Sequence, residues 1–331
     1  MYEKIYETLD KNGRIKTAVI LTGACKGSRC IVENDCCIVY GETDMDWKPY
    51  QKELACCEET GVITVNGDDV FVEIYVKNPR LVILGGGHVS QPVAQIGKIL
   101  GFHVTVMDDR EEFVTKERFP DADRLVTGSF SEIGTKIPDY ENTYYVTVTR
   151  GHMGDSMCAR QILKRPFAYF GMIGSRNKVK LTREKLLKEG FSIEQLDSIH
   201  APIGLPIGGQ MPEEIAVSIM AEIVQEKNKF CLSYTDEKVE EAVKAKKAGV
   251  MMTIISKRGS SPRGTGSKMF LDGEGKSFGS IGGGNVEFMA LRHAPSVTET
   301  EVVKYNLSNE GQASLGMICG GEVEVLFEKI C

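Results

Sequence analysis

"RLVILGGGHVSQP", residues 80–92, is the stretch that decides the fold of the middle of this chain. Its first five residues are apolar towards both faces, the pattern of a parallel strand covered on both sides. Three glycines end that run, and Pro92 fits a helix only within its first turn. The glycines give G-x-G-x-x-S at Gly85, Gly87 and Ser90. In a strand–turn–helix context Gly85 makes the tight turn, Gly87 lets the backbone approach a pyrophosphate, and Ser90 stands in small form where a third glycine is usual. His88 lies inside the turn, either as a local hydrogen-bonder or over a phosphate. Asp108 ends the next apolar run about 20 residues on, where a carboxylate can accept ribose hydroxyls.

Working outward, the runs at 80–84, 103–107, 124–128, 143–149 and 167–173 read as buried parallel strands. The segments between them are amphipathic: Val89, Val93, Ile96 and Leu100 share one face of the first helix, and Ile215, Ile219, Met220 and Ile223 one face of the last. Pro212 again fits a first turn. Residues 79–228 are therefore expected to form a Rossmann-like, doubly wound parallel sheet, a nucleotide-binding α/β domain.

"KFCLSY" (229–234) reads as a linker, and a small α+β module follows over 235–331, with strands at 250–255, 268–272 and 322–327. Residues 1–78 read as a shortened copy of it. "NGRIKTAVILTG" (12–23) overlays "AGVMMTIISKRG" (248–259), placing Thr17 on Thr253, and "VFVEIY" (70–75) overlays "EVEVLF" (322–327). The copy lacks the intact module's "IGGGN" and "CGG", so its expected role is structural, covering the Rossmann domain or a dimer surface.

With 331 residues, 42% hydrophobic, 26% charged and a net charge of −6, the chain lacks the basic excess of a nucleic-acid binder. "MYEKIYETLD" carries neither the basic start nor the apolar run of a signal peptide, and no stretch is long enough for a membrane span, so the expected location is the cytoplasm. Ten cysteines in that setting read as free thiols. Six of them cluster early, at Cys25, Cys30, Cys36, Cys37, Cys56 and Cys57, without a C-x-x-C pair that would mark a zinc or redox site.

Residues 80–113 together with "RPFAYFGMIGSRNK" (165–178), "HAPIGLPIG" (200–208) and "PEEIAVSIMAEIV" (212–224) resemble the Rossmann half of the xanthine dehydrogenase accessory protein family, XdhC/CoxI. "RGSSPRGTGSKM" (258–269), "GSIGGGNVE" (279–287) and "GMICGGEVEV" (316–325) resemble its other, cofactor-associated half. Two departures stand out. The family usually places the small domain first, and many relatives have a cysteine after the three glycines where this chain has Asn285.

The resemblance implies a maturation factor for a molybdenum hydroxylase. Such a factor binds the molybdenum cofactor, as molybdopterin or its dinucleotide form, while a cysteine desulfurase supplies the terminal sulfur, and delivers it to the apo molybdenum hydroxylase. The implied cofactor residues are Gly282, Gly283 and Gly284 at a helix start, Arg258 and Arg263 as charge partners, and Cys319, Gly320 and Gly321. Cys319 is either a soft thiolate for molybdenum or a thiol packed beside a Gly-Gly turn. Two-fold dimers being the commonest assemblies, a homodimer is expected. The alternative is an NAD(P)-dependent oxidoreductase, suggested by the Rossmann signature. Its acid–base candidates are His152, at a strand's carboxyl end, His200 and Lys178, and none has a second group at a recognisable spacing.

Overall fold

The computed structural model describes residues 2–33, 36–39, 45–150, 152–229, 231–234, 236–259, 263–306 and 321–330, with the backbone alone for 36–39 and 152. The chain divides into two compact units, one of residues 78–229 and the other joining 1–77 to 230–331.

The 78–229 unit is built on a six-stranded sheet in which every pairing is parallel. Its spatial order is Ile199–His200, Tyr169–Met172, Thr143–Thr147, Arg80–Leu84, His103–Asp108, Arg124–Thr127. The first and fourth strands in sequence are neighbours, so strand order reverses between them, the arrangement of a doubly wound Rossmann-type sheet. Alternate residues face opposite layers. Leu81, Ile83, Val104, Val106 and Val146 pack with Val93, Ala216, Ile219 and Ile223 from helices Ser90–Ile99 and Pro212–Lys227. Val82, Leu84, Met107 and Tyr145 pack on the other side with Cys158, Ile162 and Leu186. Both prolines fall in first turns, as their fixed φ requires. The two-residue edge strand Ile199–His200 escapes a sequence reading because it is too short to show a period.

In the other unit two sheets of like topology face each other. The first runs Cys36–Val39, Arg29–Glu33, Arg14–Ile20, Asp68–Val76, with Gly61–Val65 also on the last strand; the second runs Ser277–Gly279, Lys268–Asp272, Gly249–Gly259, Gly321–Ile330, Glu301–Asn306. Ile15, Val19, Phe71 and Tyr75 of the first meet Met251, Ile255, Phe270 and Leu326 of the second. The N-terminal segment therefore covers the inner face of the C-terminal sheet, sharing a core with it, where the sequence suggested the Rossmann domain or a dimer surface. The outer faces are closed by Trp47, Tyr50 and Leu54 on one sheet and by Val286 and Ala290 of helix Gly284–His293 on the other.

The strand registers correct the overlay of the two copies by one residue. Thr17 pairs with Glu73, and its counterpart Thr253 pairs with Leu326. Glu73 thus corresponds to Leu326 and not Val325. A one-residue slip swaps the faces of a strand, and here it separates the inner face from the outer one. "KFCLSY" is also more than a linker, since Ser233–Tyr234 pairs in parallel with Tyr75–Val76.

Between the sheets lie two reciprocal ion pairs. Arg29 of the first sheet donates from Nη2 to Glu328 of the second at 2.6 and 2.8 Å, and Lys268 of the second donates to Glu73 of the first. All four residues are buried. Burial works against each charge, so each cation depends on its acid across the interface.

Candidate functional site

The candidate site of the 78–229 unit forms where the strand order reverses. The chain leaves Arg80–Leu84 through Gly85, Gly86 and Gly87, and leaves the neighbouring Thr143–Thr147 through Val148, Thr149 and Arg150. Between these turns is a crevice of about 390 Å³ lined by Gly87, Arg110, Phe113, Val148, Thr149 and Arg150. It opens at the carboxyl ends of the strands, where ligands of such sheets bind.

Each glycine has its own reason. Gly85 has φ +110°, and a Cβ there would sit 2.5 Å from the Val148 carbonyl oxygen. At Gly86 a Cβ would lie 2.3 Å from the Phe113 carbonyl oxygen. Gly87 differs, because a Cβ would meet nothing within 4 Å and the space over it is the crevice. Ser90, fully buried, donates its hydroxyl to the Gly85 carbonyl at 2.5 Å, which ties the turn to the helix start. The amides of Gly87 and His88, just before that helix, have no acceptor among the described residues, and the exposed His88 ring bonds none of them. They are the orphan donors of a helix N-terminus.

Asp108 is in place at the end of its strand but is turned inward. Its carboxylate accepts from the Gly86 amide at 2.7 Å, from the Arg110 amide at 3.0 Å, and from Arg110 Nε and Nη2 at 2.9 and 3.0 Å. Burial pushes this carboxyl up, but the Arg110 guanidinium and the two amides outweigh burial and hold it below the usual carboxylate range. Arg110 stacks on Phe113, with its guanidinium carbon 3.6 Å from the ring centroid, and Arg118 lies 5.0 Å from the same ring while donating to the Gly86 carbonyl. Arg110, Phe113, Arg118 and Arg150 are absent from the glycine fingerprint. The signal for Arg110 was its place two residues after Asp108; Arg150 had none beyond following a strand.

Two of the acid–base candidates, His200 and Lys178, are not among the residues that line the crevice. Nδ1 of His200 lies 3.3 Å from Glu222, which also accepts from the Tyr169 hydroxyl at 2.6 Å and the Gly204 amide at 2.8 Å. Burial raises the Glu222 carboxyl, and His200, Tyr169 and Gly204 together lower it further than burial raises it. This cluster fastens the loop after the edge strand to helix Pro212–Lys227. Lys178 is in the first turn of helix Arg176–Lys188, its amide capped by Ser175. His152 opens the helix His152–Ile162, and its side chain lies outside the described residues.

In the other unit Gly282, Gly283 and Gly284 all have positive φ, at 116°, 69° and 61°, and lead into helix Gly284–His293. The Gly283 amide donates to Glu287 at 2.8 Å and the Gly282 amide to the Ser280 hydroxyl at 3.1 Å. The loop thus holds an anion already, the carboxylate of Glu287, which tests its fit to a phosphate: the donors suit one, provided that Glu287 yields. Arg258 and Arg263 are exposed. Gly321 pairs with Gly259, whereas Gly279 at the foot of the glycine loop pairs with Met269, itself beside Met252. From Met252 to Gly259 at about 3.3 Å per residue, Gly321 is roughly 20 Å further along the sheet. The chain leaves Gly279 running towards that same end of the sheet, into the glycine loop; Cys319 and Gly320 lie outside the described residues. No group of three or more metal-ligating side chains occurs among the described residues, and no helix of theirs is long and apolar enough to cross a membrane.

A parallel sheet of this order, with a glycine turn at its switch point, places the 78–229 unit in the Rossmann class. A family model described as the XdhC Rossmann domain matches residues 81–223, and one described as the XdhC and CoxI family matches 242–306. The chain belongs to the XdhC and CoxI family. It is 33% identical over 159 residues to Escherichia coli "Uncharacterized protein YqeB", covering 48% of this chain and 29% of that protein. It is 30% identical over 164 residues to a Bacillus subtilis protein described as a probable xanthine dehydrogenase subunit, covering 50% of this chain and 48% of that protein. The chain thus spans less than half the length of these relatives. A crystal structure described as a xanthine dehydrogenase from Bacillus halodurans shares the fold, with a TM-score of 0.52 at 21% identity, over 68% of this chain and 62% of that one.

Proposed function

We propose that this chain is an accessory protein of a molybdenum hydroxylase of the xanthine dehydrogenase type. In this reading it holds the molybdenum cofactor in the cytoplasm while a cysteine desulfurase supplies the terminal sulfur, and passes it to the apo-hydroxylase. The observation that carries it is the presence on one chain of matches to both XdhC/CoxI models. The cofactor would be held through its phosphate by Gly282–Gly284, with Arg258 and Arg263 as charge partners; its molybdenum centre is what the sulfur transfer modifies.

The crevice of the Rossmann unit supports binding over turnover. The charged side chains that line it are Arg110 and Arg150. Both are cations suited to anions, and among the described residues the lining has no carboxylate or imidazole; the His152 side chain, two residues after Arg150, lies outside them. We assign the crevice to a nucleotide, with the Gly87 and His88 amides and Arg150 facing its phosphates. An NAD(P)-dependent oxidoreductase would need a proton-exchanging group there.

The test is co-expression of a xanthine dehydrogenase-type hydroxylase with and without this chain. The expected result is a several-fold rise in hydroxylase activity, and in cyanide-releasable sulfur per molybdenum, when the chain is present. Equal activity and sulfur content in both cultures contradict the proposal.

A further inference from the structure

Resting on the nucleotide reading of the crevice, we propose that the site selects a nucleotide phosphorylated on its ribose, with Arg110 binding that phosphate and Asp108 positioning Arg110. In a dinucleotide fingerprint the carboxylate at the end of the second strand accepts the ribose hydroxyls, while a nearby arginine accommodates a 2′-phosphate. A carboxylate has about four lone-pair sites. At Asp108 four N–H groups of the protein point at them, one each from the Gly86 and Arg110 amides and from Arg110 Nε and Nη2. A ribose diol would have to displace a guanidinium from a buried acid to be read there.

The same contacts turn Arg110 into a fixed phosphate hook. Asp108 clamps the Nε/Nη2 edge of the guanidinium, and Asp109, 3.7 Å away, approaches Nε as well. The planar group rests on Phe113. What remains is Nη1 with the second Nη2 hydrogen, a two-donor edge suited to phosphate oxygens, on a side chain that lines the crevice. Arg118 on the same ring adds positive charge, and Arg150 faces the crevice from the opposite wall without an ion pair among the described residues. Asp109, Glu111 and Glu112 are exposed, so solvent and salt screen them more than the clamped pair. A phosphorylated ribose gains charge-assisted bonds from this arrangement, whereas a neutral diol can accept only ordinary hydrogen bonds.

The experiment is calorimetry on the full chain with NADP⁺ and NAD⁺, and with 2′,5′-ADP and 5′-AMP to isolate the ribose phosphate. NADP⁺ is expected to bind at least tenfold tighter than NAD⁺, with the same order for the two smaller ligands. Arg110→Met, shown to be folded by circular dichroism, is expected to bring NADP⁺ to the level of NAD⁺. The proposal is overturned if wild type binds NAD⁺ as tightly as NADP⁺, or if Arg110→Met weakens both by one factor; either leaves the nucleotide site itself standing. Absence of binding by all four ligands removes the nucleotide reading and the proposal with it.

Discussion

Arg29→Met is expected to destabilise the 1–77/230–331 unit by about 3–5 kcal/mol, the usual cost of leaving one member of a buried ion pair without its partner. Arg29 donates to Glu328 through Nε at 3.2 Å and through Nη2 at 2.6 and 2.8 Å. It also reaches the hydroxyls of Thr17 and Tyr2 at 3.5 and 3.3 Å. Burial works against the Arg29 cation, and Glu328 together with Tyr2, Tyr75 and Glu73 more than counteracts it, so the guanidinium is held above its ordinary range. Without it, Glu328 is left buried with the Tyr2 hydroxyl, at 2.5 Å, as its remaining side-chain donor among the described residues. At about 2–4 °C per kcal/mol for a unit of this size, the transition assigned to it should fall by roughly 6–20 °C. Combining Arg29→Met with Glu328→Leu should recover most of the loss, because an apolar pair of similar volume carries no stranded charge. A single variant melting within 2 °C of wild type would show that the sheets are not held through this pair.

The second large effect separates two adjacent glycines. Gly86→Val should destabilise the 78–229 unit by about 1–3 kcal/mol or more, the cost of forcing side-chain volume into a packed site. The added Cβ would begin 2.3 Å from the Phe113 carbonyl oxygen, so the segment carrying Arg110 and Phe113 must move. At half-buried Gly87 an added Cβ meets nothing within 4 Å, and Gly87→Val should melt within about 2 °C of wild type, since substitutions without a steric conflict cost little. Yet its side chain fills the backbone approach that a phosphate needs. Both variants should lose nucleotide binding by more than tenfold, one with the fold disturbed and one with it intact. Calorimetry and thermal denaturation on the same preparations check this. If Gly87→Val binds nucleotide as wild type does, its backbone is not a phosphate contact.

The contrast between these predictions shows where the sequence was informative. In the Rossmann unit the four central strands are buried on both faces and the edge strand Arg124–Thr127 packs Leu125 on one face and Val126 on the other, so five apolar runs and two prolines at helix starts locate the sheet from local pattern alone. The glycines of the turn were equally visible, because backbone approach and positive φ leave a residue-type signature. Asp108 shows the limit: its position was legible, but the inward turn depends on Arg110 and Gly86 completing its coordination. The pairing of Arg29 with Glu328 joins residues far apart in sequence, and no local pattern encodes a contact of that kind. The overlay of the two copies failed by one residue for a similar reason. Strand face is set by the partner register, here including an irregularity between Ile254 and Ser256.

The central claim is that this chain holds the molybdenum cofactor on behalf of a hydroxylase. Its most direct test is mass spectrometry of ligand released from the full chain, purified without oxygen from cells that make the cofactor. The account predicts molybdopterin or its dinucleotide form, close to one per chain. Gly283→Val should lose it, since φ of +69° strains any residue with a Cβ by about 1–2 kcal/mol and distorts the loop. A wild-type chain that releases no pterin, in cells where the hydroxylase acquires one, would contradict the account.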